Sequence, residues 1–364
     1  MLNNHRTLNR YIRREFLKIL SLSLSSLVLM YVIVVFLQKM NVFNRYQASF
    51  YLILQYLFYK IPEVTFQWTL PYAVLLSILL TLGTLSRHSE ITALKAGGVS
   101  LYRITLPLFF IVFLISVVHF LGNEYLVPST YQKSRYIWDV KIKREKPASF
   151  FKNYKIWYRS DHRIFNIQLL DPQHKTLKGF TLYQFDDQFR CIQRIDAREV
   201  KWVDGKWQFS QGALRTFGID GSLQMTPFKE RDFPLDEKWE SFQKIERDPE
   251  EMSYTELSAY IQRIQASGYD ATRYLVGLYS KLSHPLLNLI MVLIGIPFAL
   301  RTGRSGGVAL SIGISVIIGF AYGVIFYIFL SIGKTGVLPP FLSAWTPTLL
   351  FGLTGIFTLM SVRQ

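Results

Sequence analysis

Residues 86–98 read Ser-Arg-His-Ser-Glu-Ile-Thr-Ala-Leu-Lys-Ala-Gly-Gly and lie between two long apolar segments. Ser86 or Ser89 can cap a helix here, because a serine side chain accepts a hydrogen bond from a free backbone N–H of the first turn. Ile91 and Leu94 fall on one face of that helix, and the two glycines end it because glycine readily adopts the left-handed backbone that follows a helix. The pattern predicts a short surface helix, held between membrane spans, that can transmit force from a partner.

The composition is typical of a membrane protein that also carries a folded polar domain. Half of the 364 residues are hydrophobic, 15% are aromatic and 18% are charged, which fits neither an ordinary soluble protein nor a wholly buried bundle. The net charge of +16 is compatible with nucleic acid binding, but the basic residues flank apolar runs and form no stripe within a recognisable nucleic-acid-binding module. We therefore expect no nucleic acid partner.

The patterns that usually mark an active site are missing from the sequence. Cys191 is the only cysteine, so the chain can form neither an internal disulfide nor a thiolate metal cluster. The six histidines lack the spacing of a zinc hydrolase, and the sequence at 333–335 lacks the upstream glycine of a phosphate-binding loop. His119 and Asn288 lie within apolar spans, where polar groups are often functional; packed, hydrogen-bonded side chains are the stronger alternative. We expect no catalytic and no metal site.

Six apolar segments are long enough to cross a membrane, and the first, at 1.5 Å per residue, extends roughly 28 Å. The predicted spans are 19–37, 64–85, 101–127, 274–300, 307–332 and 341–360. Each segment that faces the cytoplasm in one consistent orientation is net positive, as the positive-inside rule requires. This orientation places both termini and residues 86–98 in the cytoplasm and residues 128–268 outside.

The character of the sequence changes in residues 128–268, where no long apolar run occurs. Short segments that alternate apolar and polar residues, such as 164–167, are bounded there by Asp, Gly and Pro, and they predict strands with one buried face. The segments on either side of Asp204-Gly205 are the clearest pair, because Asp-Gly is a favoured two-residue hairpin turn. Together the strands predict a β-sandwich or jelly roll, closed by a polar helix at about 253–265.

The predicted fold class is therefore α+β, with six transmembrane helices and a β-jelly-roll domain inserted between the third and the fourth. The predicted domains are 1–127, 128–268 and 269–364, and residues 86–98 belong to the first. Two other classes remain as alternatives. A secondary transporter would show inverted repeats and broken helices, and a scaffold membrane protein would only display its external β-domain.

A row of small residues runs along the fifth span at four-residue spacing. Its members are Gly307, Ser311, Ser315, Gly319 and Gly323. They lie on one face of a helix and allow another backbone to approach closely. The approaching helix is either another span of the same chain or a span of a second subunit.

Cations collect where the first three spans are predicted to reach the outer surface. They are Lys39, Arg45, Lys60, Lys133 and Arg135. Side chains at that level can bind an acidic amphiphile, since its tails occupy the bilayer and its phosphates lie at the interface. The alternative is that each long side chain only anchors its span by reaching towards water.

The segment 89–98 is similar to the Ser-Glu, apolar and Ala-x-Gly pattern that the LptF/LptG permeases carry between their second and third spans. These permeases are the membrane subunits of the lipopolysaccharide export ABC transporter. The resemblance covers the whole chain, and its further points are Arg10-Tyr11, Pro62, Pro71, the stretch 267–274, and Lys281 followed by Pro285. The stretch 267–274 is closer to the LptG branch of the family than to the LptF branch.

This resemblance implies a transporter half with six spans and a periplasmic β-jelly roll in a bacterial inner membrane. Such a subunit pairs with a paralogous LptF-like permease and a cytoplasmic LptB-like ATPase dimer, and it passes lipopolysaccharide to LptC-like and LptA-like periplasmic bridge proteins. It binds no cofactor and is not an enzyme, since the partner ATPase uses the ATP and Mg. Its two termini are cytoplasmic and its β-domain is periplasmic.

The resemblance also gives roles to the residues of the short helix. Glu90 matches the glutamate of the family's short helix, which docks in a groove of the ATPase and contacts an arginine there. Arg87, Ile91 and Leu94 lie beside it and are expected to take part in the same contact. This role is physically reasonable, because removing one partner of a carboxylate–guanidinium pair in a partly desolvated groove typically costs about 2–5 kcal/mol.

In the family the first and fifth spans form lateral gates for lipopolysaccharide, so the row of small residues falls on a gate helix. The family's jelly roll passes lipid along an apolar interior, which Trp157, Phe165 and Phe180 are placed to line. The alternative for these three is plain packing in the core, where most buried aromatic residues are found. The chain departs from some members at Glu63, where they have lysine.

Overall fold

The computed structural model describes eleven segments of the chain, which are 2–144, 149–152, 155–160, 162–171, 175–203, 205–218, 222–235, 239, 249–266, 270–302 and 308–361. The chain divides into two compact units. We call Met1–Trp138 with Pro249–Gln364 the membrane unit and Asp139–Asp248 the β-sheet unit.

The described residues of the membrane unit form ten α-helices. They are α1 Leu2–Arg45, α2 Phe50–Glu63, α3 Leu70–Arg87, α4 Glu90–Ala96, α5 Leu101–Leu121, α6 Val127–Tyr136, α7 Tyr254–Ala266, α8 Thr272–Thr302, α9 Val308–Lys334 and α10 Pro340–Met360. Six continuous helical segments within this set are long and apolar enough to cross a membrane. The predicted six-span architecture is therefore confirmed.

Two of the spans are longer than the apolar runs predict because short π-helical turns join consecutive helices. Val64–Thr69 joins α2 to α3, and Gly122–Leu126 joins α5 to α6. The first of these turns lies between Pro62 and Pro71. Proline lacks an N–H and crowds the preceding turn, and a wider turn relieves this conflict without ending the helix. The stretch before residue 64 is consequently part of the second span.

The second and fourth spans form the centre of the membrane unit. In the most apolar 18-residue stretch of the second span, 78% of the residues are buried, and in that of the fourth span 67% are. The corresponding values are 17% for the first span and 22% for the fifth. Gly295 of α8 approaches α3 so closely that an added Cβ would lie 2.9 Å from Ile78. Small residues allow such close packing between spans. The first and fifth spans therefore lie at the periphery.

The β-sheet unit contains one antiparallel sheet of seven described strands. They are β1 Ser149–Lys152, β2 Lys155–Ser160, β3 Arg163–Asp171, β4 Thr176–Phe185, β5 Cys191–Val203, β6 Lys206–Phe217 and β7 Leu223–Asp232. Their order in the sheet is their order in the chain. The predicted β-domain between the third and fourth spans is confirmed. Its described strands pair with their neighbours in sequence, as short hairpin connections favour, whereas a Greek-key arrangement would pair distant strands.

The predicted hairpin at 204–205 and the predicted alternation are both present. Val203 pairs with Lys206 across the connection, and Gly205 has a φ of +80°, which a two-residue turn requires. Asp204 lies outside the described residues. Alternate positions point into one core, where Phe165 and Ile167 of β3 pair with Leu182 and Phe180 of β4.

The β-sheet unit is shorter at both ends than the predicted domain 128–268. Residues after Pro128 continue the third span as helix α6, because proline at the start of a helix is tolerated. Helix α7 is present where a closing helix is predicted, but it belongs to the membrane unit. Glu124 accepts hydrogen bonds from the backbone N–H of Tyr254 at 2.6 Å and from the hydroxyl of Thr255 at 2.7 Å. This carboxylate stabilises the N-terminus of α7.

Candidate functional site

Helix α4 ends as the sequence predicts. The N–H of Val99 donates to the carbonyl of Leu94 at 3.0 Å, and the N–H of Gly98 donates to the carbonyl of Lys95 at 3.0 Å. This pair of bonds is a Schellman motif, which requires a left-handed residue after the helix. Gly98 supplies it with a φ of +78°, while Gly97 keeps a φ of −80°.

The start of α4 differs from the prediction, since neither serine caps it with a side chain. Ser86 lies within α3. Ser89 precedes α4, but its φ of +60° is left-handed and its hydroxyl makes no capping bond. A side-chain cap needs an extended backbone at that residue, so the sharp turn between α3 and α4 excludes it. The carbonyl of Ser89 still accepts the N–H of Ala93 at 2.9 Å.

Glu90 is presented at the first turn of α4 by a residue from the first span. The hydroxyl of Tyr11 donates to Oε2 of Glu90 at 3.1 Å, and Nδ1 of His88 lies 4.0 Å from Oε1. The Glu90 side chain remains 39% exposed. Tyr11 was not predicted as part of this site, and only its place in the Arg10-Tyr11 pair could have suggested it. The carboxylate is thus oriented and still accessible.

The apolar face of α4 points into the membrane unit. Ile91 is 4% exposed, and it belongs to the same core as Ile12 and Phe16 of the first span. Leu94 is partly buried and packs against that core. The contact of Ile91 and Leu94 with a partner stays a prediction, and Ile91 offers such a partner little accessible surface. Arg87 is exposed at the end of α3.

At the opposite end of the membrane unit, two of the predicted cations form ion pairs within the chain. Nζ of Lys60 lies 2.7 Å from a carboxylate oxygen of Glu63. Nη1 of Arg135 lies 2.6 and 2.7 Å from the two carboxylate oxygens of Glu251, whose side chain is 7% exposed. Because local carboxylates already balance them, Lys60 and Arg135 have little free charge for an acidic amphiphile.

The other three predicted cations at this end form no ion pair with the residues that the structure describes. Nζ of Lys39 lies 4.6 Å from the ring centre of Trp138, and Nζ of Lys133 lies 5.4 Å from that of Tyr59. A cation over an aromatic ring is held by roughly 0.5–2 kcal/mol, which leaves it able to bind an anion as well. Arg45 is exposed at the end of α1. Two of the five cations are thus neutralised by carboxylates of the chain, and three can still bind an anion.

Comparison with known proteins agrees with this architecture. The family model described as lipopolysaccharide export system permease LptF/LptG matches residues 10–361. The chain belongs to the LptF/LptG family. It is 24% identical to the LptG permease of Haemophilus influenzae over 372 residues, which cover 98% of this chain and 99% of that protein. It is also 24% identical to the LptG permease of Escherichia coli K12 over 302 residues, or 80% of each chain.

Membership in the LptF/LptG family, together with six apolar helices, makes the chain a multi-pass inner membrane protein of lipopolysaccharide export. The names of both relatives agree with the closer similarity of residues 267–274 to the LptG branch. Residues 267–269 of that stretch lie outside the described residues.

In this family member the row of small residues faces the second span of its own chain. An added Cβ on Gly83 of α3 would lie 3.5 Å from Oγ of Ser311, and one on Gly319 would lie 2.8 Å from the ring of Tyr72. Gly323 approaches the hydroxyl of Tyr72, and Ser315 is buried. Gly307 lies outside the described residues. Of the two alternatives from the sequence, the described contacts match packing within the chain.

The aromatic residues predicted for the β-domain lie in its core where they are described. Phe165 is 0% exposed and Phe180 is 1% exposed. Their ring centres are 5.9 Å apart, and Phe180 also meets Phe209 edge-to-face at 5.4 Å. The core alternative therefore describes these two residues. The backbone of Trp157 pairs with Asn166 in the neighbouring strand, and its side chain lies outside the described set.

The two polar residues within the spans pack against each other. Nδ2 of Asn288 lies 2.9 Å from Nδ1 of His119 and donates to the carbonyl of Pro285 at 2.9 Å. The ring of His284 meets that of His119 at 5.3 Å. Both His119 and Asn288 are fully buried. This geometry matches the hydrogen-bonded packing alternative rather than an intramembrane active site.

Proposed function

We propose that this chain is a noncatalytic permease subunit that couples ATP hydrolysis in a partner to the extraction of lipopolysaccharide from the inner membrane. The observation that carries the proposal is Glu90, an oriented and accessible carboxylate on a short helix fixed to the spans. Family membership supports the substrate class. The neighbouring Arg87 and the exposed residues Thr92, Ala93 and Ala96 of α4 complete the contact surface.

Movement of the partner reaches the spans through α4. The helix is joined to α3 by two residues and to α5 by four, and Ile91 inserts into the core. Because packed cores shift as units rather than deform continuously, a displacement of α4 moves the second and third spans with it. The second span in turn packs against α8, so the motion reaches the centre of the unit.

The proposed orientation places α4 and both termini in the cytoplasm and the β-sheet unit in the periplasm. Arg87, Lys95 and Arg103 outnumber Glu90 in the α4 region. Positive charge next to spans favours the cytoplasmic side. An ATPase partner that uses cytoplasmic ATP must meet α4 on that side.

The peripheral first and fifth spans form the proposed surface for a paralogous LptF-like subunit and for entering lipid. Val316, Ile317 and Phe320 of α9 are 62%, 69% and 73% exposed, and Leu22 and Leu29 of α1 are 65% and 62% exposed. These apolar faces suit acyl chains or another span. The transported lipid then passes along the β-sheet unit towards LptC-like and LptA-like bridge proteins.

Co-purification tests this proposal most directly. The tagged chain is expressed in its host membrane, gently solubilised and analysed by mass spectrometry as wild type, Glu90→Lys and Glu230→Lys. Glu230 is exposed on β7, so its variant has the same charge change away from α4. We expect wild type and Glu230→Lys to bring down an ATPase subunit and a second six-span protein, and Glu90→Lys to lose the ATPase.

The contrary results are distinct. A wild-type chain that purifies alone or as a homodimer would overturn the proposal and favour a secondary transporter or a scaffold. An ATPase that still binds Glu90→Lys as strongly as wild type would remove Glu90 from the interface.

A further inference from the structure

A cleft with a mostly apolar lining lies in the membrane unit between the second, third, fourth and fifth spans. It holds about 100 Å³ of space. Trp68 and Tyr327, whose rings stack at 6.0 Å, form one wall together with Phe326. The polar side includes Lys281, Asn123 and the pair of Glu250 and Lys334. The cleft is separate from α4 and from the cation cluster, and it borders the His119–Asn288 pair through His284.

The position of the cleft along the helices corresponds to the headgroup level of a bilayer. Trp68 lies about 20 residues before the end of α3, and Lys281 lies about 20 residues before the end of α8, which is about 30 Å at 1.5 Å per residue. This distance is the thickness of the hydrocarbon core. Helices α3 and α8 both end at the side of the membrane unit that carries α4. The cleft therefore lies at the opposite interface.

Lys281 brings a positive charge to the cleft that the described residues leave without a hydrogen bond or ion pair. The carboxylates whose charges act on it are Glu124, Glu250 and Glu256. Glu124 and Glu256 accept hydrogen bonds at the start of α7, and Glu250 lies 3.8 Å from Lys334. A partly buried cation without a close partner is costly. An anion that enters the cleft would remove this cost.

Asn123 requires a hydrogen-bond donor in the cleft. Its Oδ1 is buried and has no hydrogen-bond donor among the described residues. A buried acceptor without a donor costs free energy, so a ligand that donates a hydrogen bond there is favoured. A suitable ligand therefore combines an anionic group with a nearby hydroxyl.

We propose that this cleft binds the headgroup of an acidic lipid, with the phosphate on Lys281 and a neighbouring hydroxyl donating to Asn123. The apolar wall of Trp68, Phe326 and Tyr327 contacts the glycerol region and the start of the acyl chains. That wall distinguishes a lipid phosphate from free phosphate, which gains nothing from apolar contact. The site requires only the membrane position of the cleft, so it stands independently of the coupling role of Glu90.

Native mass spectrometry of the purified full-length chain tests the site with defined lipids. The probes are phosphatidylglycerol, which has a phosphate and hydroxyls, phosphatidylmethanol, which has the same charge without a hydroxyl, and phosphatidylcholine. We expect wild type to bind phosphatidylglycerol most strongly. Lys281→Met should weaken that binding roughly tenfold, since it removes a charge-assisted hydrogen bond. Lys281→Arg should retain most of it.

Two further variants separate the contributions. Lys206→Met removes an exposed cation of the β-sheet unit, outside both the cleft and the predicted cation cluster, and it should bind phosphatidylglycerol as wild type does. Asn123→Leu should bind phosphatidylglycerol and phosphatidylmethanol equally, because the hydroxyl loses its acceptor. A wild-type preference for phosphatidylglycerol that Asn123→Leu leaves unchanged would overturn the assignment of the hydroxyl.

The remaining outcomes decide between sources of the phosphate. Inorganic phosphate in millimolar excess should leave lipid binding unchanged. Displacement of phosphatidylglycerol by inorganic phosphate, or equal binding of phosphatidylcholine, would show a small-anion site and overturn the lipid assignment. Undiminished phosphatidylglycerol binding by a folded Lys281→Met variant would overturn the site itself.

Discussion

The two ends of the membrane unit differ in whether a carboxylate is left accessible or is neutralised within the chain. At the α4 end, Glu90 is held by one hydroxyl of Tyr11 and stays 39% exposed. At the other end, Glu251 is 7% exposed and is paired with Arg135 through both of its oxygens. A charge that is oriented but accessible suits a partner, whereas a charge that is neutralised within the chain suits anchoring. The difference separates the proposed docking surface at α4 from an internal ion pair.

The largest expected effect comes from removing the presented charge. Glu90→Ala should leave the chain folded and raise the Kd for the proposed ATPase partner by at least about 30-fold, corresponding to a loss of about 2 kcal/mol or more. Binding of the purified ATPase to the reconstituted chain measures this, with Glu230→Ala as the control. Unchanged affinity would mean that the accessible carboxylate is only a solvated side chain.

Removing the anchor of α4 should act on stability instead. Ile91→Ala leaves a cavity in a core where the side chain is 4% exposed, and it should lower the free energy of unfolding by about 2–4 kcal/mol. Leu94→Ala, at a partly buried position on the same face, should lower it by less. Thermal unfolding in detergent measures both changes. Wild-type stability together with lost ATPase binding would instead place Ile91 at the partner surface.

At the opposite end, breaking the ion pair of Arg135 and Glu251 should destabilise the chain without affecting partner binding. Arg135→Met leaves the Glu251 carboxylate buried without its cation and should cost about 1–3 kcal/mol of stability. Arg45→Met, at an exposed cation of the same predicted cluster, should change stability by less than about 0.5 kcal/mol. The melting temperatures of the two variants report the difference. Equal effects would show that the pair of Arg135 and Glu251 contributes nothing beyond a surface charge.

The sequence is informative where structure depends on neighbours in the chain. The end of α4 at Gly98, the hairpin at 204–205 and the six apolar spans all follow from local patterns. The pairing of Lys60 with Glu63 is also local, since three residues separate them on one helix face.

The contacts that no sequence pattern predicts are those between residues far apart in the chain. Arg135 and Glu251 are 116 positions apart, and Tyr11 and Glu90 are 79 apart. Glu124 and Tyr254, whose hydrogen bond holds the start of α7 in the membrane unit, are 130 positions apart. Periodicity shows that Ile91 lies on the apolar face of α4. It does not show whether the helix bundle or a partner covers that face. Such contacts depend on packing between spans, which a single sequence does not encode in any local pattern.

The smallest expected effect concerns how Glu90 is held. Tyr11→Phe removes one hydroxyl and its hydrogen bond, which is worth about 0.5–1.5 kcal/mol, while the ring and its packing remain. ATPase affinity should therefore fall by less than about tenfold, and the free energy of unfolding by no more than the value of that one hydrogen bond. In the Glu90→Ala background the same substitution should have no further effect, because the hydroxyl acts only through the carboxylate. A double-mutant cycle measures this coupling. Additive losses would show that Tyr11 contacts the partner itself, and the contrast between a presented and a neutralised charge would then rest on two residues at the α4 end instead of one.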